Sequence, residues 1–415
     1  MKHVIIGAGP AGVVAAETLR KHDAKSSITL IGNEGKPPYS RMALPYLLID
    51  KITEPGTYLR QSPDHYDDLK IEYVQATVSA VDPESKTVAL NDGASLAYDR
   101  LLLATGASPV APPVKGLDLP GVHTCWTLDD AQKINQLAHP GAHVVLIGAG
   151  FIGSIVLEAL FLKGVSLTVV EMGDRMVPRM MDEVAGNMLK SWCMSKGVEV
   201  LTGTKITEIS QSDKGLEVTL SKGKTSTAQL VVVAAGVRSN IDFLKGSGID
   251  TDAGVVVDDH LQTSVDDIYA AGDVVQALDL STGEFSVLAI QPTAVEHARI
   301  AAMNMAGLDT PHHGSLSMNI LDTMGLISSS FGQWMGEEGS DSAAMLDKDN
   351  YRYLRLEFQG DRLIGAQSVG FSEHIGMLRG LIQTGTHLGE WKQILMTSPH
   401  RISEAYVSTL HKNAS

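Results

Sequence analysis

Six glycines in two identical spacings are the residues best placed to do chemistry in this sequence. Gly7, Gly9 and Gly12 stand as G-x-G-x-x-G, and Gly148, Gly150 and Gly153 repeat the arrangement. The first glycine of such a set permits a tight turn. The second lets backbone approach a pyrophosphate with no Cβ between them, and the third lets a helix pack close to a strand. The helix that follows offers unpaired N–H groups and the positive end of its dipole to phosphate oxygens.

The spacing alone is a weak signal, and the flanking residues sharpen it. Val4, Ile5 and Ile6 read as a buried strand, and Ala15, Ala16 and Leu19 recur at helical spacing. A second strand over Ile28–Ile31 leads into Gly32, Asn33 and Glu34. The acid is displaced by one or two places from the usual strand end, so both Asn33 and Glu34 are open as the ribose partner. In the second copy Val144–Ile147 is the strand, and the next strand, Leu167–Val170, ends on Glu171. A carboxylate there can accept both hydroxyls of an adenosine ribose and repels a 2′-phosphate. Met172 and Gly173 follow, with no arginine directly after the acid. The second site is therefore expected to prefer NAD over NADP. Two dinucleotide sites imply two dinucleotides. The economical arrangement is one tightly held FAD and one exchangeable nicotinamide dinucleotide, with a hydride passing between them.

At 415 residues the chain is too long for one core. It has no apolar run of the ~18–20 residues a membrane helix needs. It opens on a strand without leader features, and its two cysteines, Cys125 and Cys193, lie in no C-x-x-C pair. These features lead us to expect a cytoplasmic protein with no disulfide framework and no metal site. The net charge of −15 argues against nucleic acid or an anionic membrane as partner.

The SPVAPPV run at 108–114 reads as an extended linker. The expected division is a discontinuous first domain, 1–109 and 239–317, an inserted domain, 110–238, and a C-terminal α+β domain, 318–415. In the last of these, Gln359-Gly360-Asp361 is the expected hairpin turn. Ser372 is the expected N-cap of a helix that Gly385 stops.

The phrases GAGPAG, LLLATGASP, GAGFIG with Glu171, VVAAGVRSN and IYAAGDVV follow in one order along the chain. In that order and spacing the sequence resembles the FAD-dependent pyridine-nucleotide-disulfide oxidoreductase superfamily. The resemblance implies an α/β fold with two Rossmann-like dinucleotide domains, for FAD and NAD, and a C-terminal interface-type domain. It further implies that Gly7, Gly9, Pro10, Ala11 and Gly12 hold the FAD pyrophosphate, and that Arg41 reaches the flavin. Val78 would touch the adenine through its backbone, and Ala104, Thr105 and Gly106 would line the FAD. Asp273 would bond the ribityl or phosphate region, with Gly272 allowing close approach. Gln291 stands where relatives place a tryptophan over the flavin ring. Gly148, Gly150, Phe151, Ile152, Gly153, Glu171 and Gly236 would hold NAD, with Arg179 near its ribose or phosphate. For Arg179 and Arg175 a solvated surface charge is an equal alternative.

The departures from the pattern bear on the electron acceptor. Some relatives carry a redox cysteine in C-G-L-P-Y, and here that phrase is Met42-Ala43-Leu44-Pro45-Tyr46. A thioether cannot form a thiolate or cycle through a sulfenic acid. The chain also lacks the C-x-x-x-x-C pair of the disulfide reductases. The resemblance is then to the rubredoxin and ferredoxin reductases, which pass single electrons to a small iron–sulfur carrier. Within that branch Tyr46, Ile155, Trp126 and Gln291 replace a lysine, a glutamate, an arginine and a tryptophan. Glu158 is a candidate substitute for the missing glutamate, with a helix-surface acid as the plainer reading, and His297, on the same helix as Glu296, could face the flavin, with a satisfied helix histidine as the plainer reading. No catalytic acid, base or nucleophile is expected. An acidic ferredoxin would dock on basic residues, for which Arg41, Arg352, Arg379, Lys392, His400, Arg401 and Lys412 are candidates, with scattered surface charge equally open. An NADH oxidase or small-molecule reductase is the alternative, and a redox-switched protein of the apoptosis-inducing-factor type a more distant one.

Overall fold

The computed structural model describes residues 1–413. Contacts divide these into two compact units. One comprises Met1–Ala43, Ile52–Ser108 and Val237–Ser315, and the other Leu44–Lys51, Pro109–Gly236 and the chain from Leu316 onward.

Each unit is built on a five-stranded parallel sheet. In the first the order is Ile268–Ala270, Arg100–Leu103, Lys2–Ile6, Ser27–Gly32 and Ile71–Gln75. In the second it is Glu199–Leu201, Ser166–Val170, His143–Ile147, Leu230–Val233 and Val122–Thr124. The β-branched runs are buried on both faces, as parallel strands between helical layers require. Each unit also carries a three-stranded antiparallel sheet between its outermost and its later parallel strands, Val78–Ala97 in one and Ile206–Ala228 in the other. The internal duplication thus extends from a glycine phrase to nearly a whole domain.

Residues from 318 form an antiparallel sheet in the order Met318–Thr323, Leu326–Gly332, Arg362–Val369, Arg352–Gln359, Asp341–Asp347. Leu354, Leu356, Phe358 and Phe331 pack from it against Leu378, Leu381 and Ile402 of the C-terminal helices. The hairpin turn is Gly360-Asp361, since Gln359 already pairs with Arg362. Ser372 does not cap the helix that follows. It opens a short 3₁₀ turn, and the helix Ile375–Thr384 starts after His374 without a side-chain cap. Gly385 does end that helix, in the left-handed conformation at φ +57°.

Two boundaries differ from those expected. Residues 44–51, assigned by sequence to the first domain, pack with the second unit. The helix Leu44–Leu48 buries both of its terminal leucines and packs on the helices Leu128–Leu137 and Phe151–Leu162. Lys163 Nζ donates to the Leu48 carbonyl at 2.9 Å. The 110–238 and 318–415 segments have separate cores but form one contact unit. Asp182 joins them: its carboxylate accepts from Tyr353 Oη at 2.6 Å, and its amide donates to Gln367 Oε1 at 2.9 Å. Trp192 Nε1 donates to the Thr323 carbonyl at 2.9 Å.

Candidate functional site

The two glycine turns have one geometry. Gly7 sits at φ +111°, and a Cβ on it would lie 2.1 Å from the Ala104 carbonyl oxygen. A Cβ on Gly12 would lie 1.8 Å from the Gly7 carbonyl oxygen. Gly148 and Gly153 repeat this, with 2.4 Å to the Ala234 oxygen and 2.2 Å to the Gly148 oxygen. Steric packing alone therefore fixes the first and third glycines. The middle ones differ: a Cβ on Gly9 or Gly150 would meet nothing within 4 Å. Each opens onto free space at a helix start, Pro10–His22 and Phe151–Leu162, where no side chain caps the first amides. Pro10 has no N–H to satisfy, so it suits the first helical position. Ala11 and Gly12, like Phe151, Ile152 and Gly153, lie in these first turns. Open space plus uncapped amides is what a pyrophosphate needs.

In the first unit Ala104, Thr105 and Gly106 follow directly on the strand Arg100–Leu103. Thr105 Oγ1 donates to the Asn240 carbonyl, and Asn240 Nδ2 to the Thr105 carbonyl, both at 2.9 Å. The Asn240 amide also donates to the Gly106 carbonyl at 2.9 Å. Asn240 is thus a clamp on this loop that sequence reasoning did not single out, although it closes the VVAAGVRSN phrase. Ser239 Oγ donates to the Asp273 carbonyl at 2.9 Å. Gly272 is at φ +85°, and a Cβ on it would lie 3.1 Å from the Ala11 Cβ. Burial pushes the Asp273 carboxyl above its ordinary range, and the Arg41 guanidinium pulls it partly back. Arg41 also pairs with Glu34 and donates to Tyr39 Oη at 3.1 Å. Tyr39 Oη in turn donates to Glu34. The Glu34 carboxylate is therefore engaged within the protein, and Asn33 is exposed at the strand end. Gln291 begins the helix Gln291–Met305, and its Oε1 accepts from Ser40 Oγ at 3.2 Å. Val78 opens the small antiparallel sheet, half-buried against the core.

In the second unit Glu171 is held from two sides. Its Oε2 accepts the Ala149 amide at 2.7 Å and its Oε1 the Gly173 amide at 2.6 Å. Each oxygen keeps a further lone pair for a ribose hydroxyl. Gly236, at φ +111°, is open around its Cα and accepts from the Val110 amide at 2.9 Å. The two arginines separate. Arg175 is structural, donating to the Met181 carbonyl at 2.9 Å and to Asp174 at 2.8 Å. Arg179 is exposed and forms no ion pair among the described residues.

His297 is buried, edge-on to His312 at 4.8 Å, with Ser315 Oγ between their Nε2 atoms. Burial pushes it down to about 3, so it is a neutral core histidine. Glu158 is half-buried and raised by desolvation and by Asp322, with the Met324 amide opposing. Met42 is 51% exposed. Burial pushes both Cys125 and Cys193 up to about 12, which leaves them inert as thiols. Several of the expected docking cations are paired with acids. Arg352 pairs with Glu373 at 2.6 Å, Arg401 bonds Glu404 at 2.9 Å, and Lys392 pairs with Asp341. Arg379 bonds Gln383 at 3.2 Å. His400 is exposed, and the Lys412 side chain lies outside the described residues.

Comparison with known proteins agrees with this arrangement. Residues 1–303 match the family model described as pyridine nucleotide-disulphide oxidoreductase. The chain is 32% identical, over 98% of its length and 97% of the relative's, to the NADH-dependent phenylglyoxylate dehydrogenase subunit epsilon of Aromatoleum evansii. It is 28% identical to the rubredoxin-NAD(+) reductase of Pseudomonas putida, over 92% of this chain and 99% of that one. Among solved structures, the covalent putidaredoxin reductase–putidaredoxin complex superposes with a TM-score of 0.90 at 25% identity, covering 98% of both chains. The chain belongs to the pyridine nucleotide-disulphide oxidoreductase family, and is a flavoprotein oxidoreductase that uses FAD and NAD(H).

Proposed function

We propose that this protein moves electrons between NAD(H) and a small iron–sulfur carrier of the ferredoxin or rubredoxin kind. The observation that carries this reading is the pairing of two complete dinucleotide turns with Met42 where a relay cysteine would stand. FAD, when bound, supplies the exchange between a two-electron hydride and single electrons. On this reading residues 1–109 and 239–317, apart from 44–51, hold FAD, residues 110–238 hold NAD, and 318–415 add an α+β segment with a core of its own to the second unit. The Gly9 turn takes the FAD pyrophosphate, and Arg41 and Asp273 flank it. With Glu34 engaged, Asn33 takes the adenosine ribose. The Gly150 turn takes the NAD pyrophosphate, and Glu171 its ribose. These groups bind and orient, so the protein needs no acid, base or nucleophile for hydride transfer. Two unpaired cysteines support a cytoplasmic setting.

A second reading is favoured by one observation, the full-length match to a protein named as a subunit. The chain would then be the NAD-linked subunit of a larger dehydrogenase, taking electrons from an iron–sulfur partner to NAD⁺. The local neutralisation of Arg352, Lys392 and Arg401 fits a permanent partner better than an acidic carrier steered by charge.

The first experiment is NADH consumption by the purified flavoprotein in air, with and without ferredoxin and a cytochrome as final sink. A slow rate that rises many-fold with the carrier supports the reductase. A fast rate unaffected by it makes the protein an oxidase or small-molecule reductase. Faster NAD⁺ reduction by reduced ferredoxin than the reverse supports the subunit reading.

A further inference from the structure

Val177 is in the left-handed region at φ +44°. It is the sole β-branched residue with positive φ among the described residues. A branched Cβ makes that conformation costly. Pro178 adds to the cost, since a proline pushes the residue before it toward extended backbone. Strain of this kind persists only where the surroundings over-determine it, and it collects at binding sites.

What surrounds Val177 is the second glycine turn. Its amide donates to the Ala149 carbonyl at 2.8 Å, and Ala149 is the residue between Gly148 and Gly150. The Ala149 amide is itself taken by Glu171. Both peptide groups of Ala149 are therefore clamped, one by the ribose-reading acid and one by Val177. The Val177 carbonyl accepts from the amides of Met180 and Met181, at 2.9 and 3.0 Å. Arg175 ties the same turn from inside, through the carbonyls of Met181 and Pro178. Below it, a Cβ on Gly186 would lie 2.7 Å from the Met176 carbonyl oxygen, so the bare glycine lets the turn lie against the helix Glu183–Ser195. Two residues beyond Val177, Arg179 stands exposed.

We propose that Val177 is a positioning residue for the nicotinamide dinucleotide. Its left-handed backbone, rather than its side chain, fixes the Gly148–Gly153 turn through the Ala149 carbonyl. This rests on the reading that the second turn holds NAD(H).

Two substitutions separate backbone from side chain. Val177→Gly removes a buried isopropyl group and lowers the melting temperature, yet keeps the amide donor and adopts positive φ freely. Val177→Pro removes the donor and excludes positive φ. The readouts are the Kd of ADP-ribose by calorimetry, the KM for NADH and kcat with ferricyanide, and flavin content. V177G is expected to hold the Kd and KM within about twofold of wild type despite its lower melting temperature. V177P is expected to raise both about tenfold or more, the size of one lost buried hydrogen bond, with flavin content and kcat unchanged. A tenfold rise in V177G, or a folded V177P within twofold of wild type, overturns the proposal. If V177P does not fold, Gly186→Ala, whose Cβ would lie 2.7 Å from the Met176 carbonyl oxygen and shift the same turn, takes its place with the same expected rise, and values within twofold of wild type overturn the proposal. Wild-type enzyme that binds no ADP-ribose would instead overturn the assignment of the second turn.

Discussion

Glu171 accepts the backbone N–H of Ala149 at 2.7 Å, so the acid placed to read a ribose also closes the glycine turn beneath it. Binding and local fold share one carboxylate here. Glu171→Ala should therefore cost more than a lost ribose contact. We expect the KM for NADH to rise about 10–100-fold, as for hydrogen bonds to a charged group. Discrimination against NADPH should fall with it, because the repulsive charge is gone. Steady-state kinetics with both nucleotides check this. Unchanged discrimination would move the 2′-phosphate filter elsewhere.

The glycines make a sharper test, because their roles divide by geometry. Gly150→Ala adds a Cβ that meets no protein atom within 4 Å. Its stability should stay within about 0.5 kcal/mol of wild type, while NADH affinity falls. Gly9→Ala should likewise fold and purify with little FAD. Gly153→Ala drives a Cβ to 2.2 Å from the Gly148 oxygen, and its first symptom should be a lower melting temperature. Flavin absorbance, NADH binding and thermal melts together separate the three.

Thiol chemistry should be irrelevant to turnover. Cys125 and Cys193 are both pushed up to about 12 by burial, and Met42 offers no thiol. Treatment of the native enzyme with iodoacetamide at pH 7.5 should leave NADH-dependent activity unchanged within error. Loss of activity on alkylation of either cysteine would contradict the cysteine-free electron path.

Acid should destabilise the first unit through its buried histidines. His297 is pushed down to about 3, and His312 and His3 are lowered as well, in each case chiefly by desolvation. A histidine that stays neutral when folded takes up a proton only on unfolding. Stability is therefore unaffected above the unfolded pKa of about 6.5 and falls below it, for His297 down to about pH 3. The slope is about 1.4 kcal/mol per pH unit for each such histidine. His260, held by Asp309 and Asp259, has the opposite sign, but its side chain is 33% exposed, its partners lie at the surface and its contribution is screened. Melting curves between pH 7 and 4 should show the drop, and His297→Leu should flatten it.

Much of the scaffold is legible in the sequence because it rests on local rules. The runs at Val4–Ile6 and Val144–Ile147 are apolar and β-branched, and strands form there in both copies. Gly7 and Gly12 are readable because no other residue fits against a carbonyl oxygen at about 2 Å. What escaped depends on distant partners. That Arg41 would engage Glu34, leaving Asn33 exposed, is set by how a loop folds back, not by spacing. Leu44 and Leu48 look the same in sequence whichever unit they bury against. Asn240 and Thr105 are 135 residues apart and bond in both directions. Val177 is least legible of all, since nothing in a valine announces a left-handed backbone.

The outer strand next to the Arg100–Leu103 and Leu230–Val233 strands has different origins in the two parallel sheets. The second sheet takes it from Val122–Thr124, ahead of its glycine turn, and holds all five strands by Val233. The first takes it from Ile268–Ala270, after the inserted copy has passed. As the chain leaves the ribosome from its N-terminus, the sheet whose glycine turn is made first is the one that must wait longest to close.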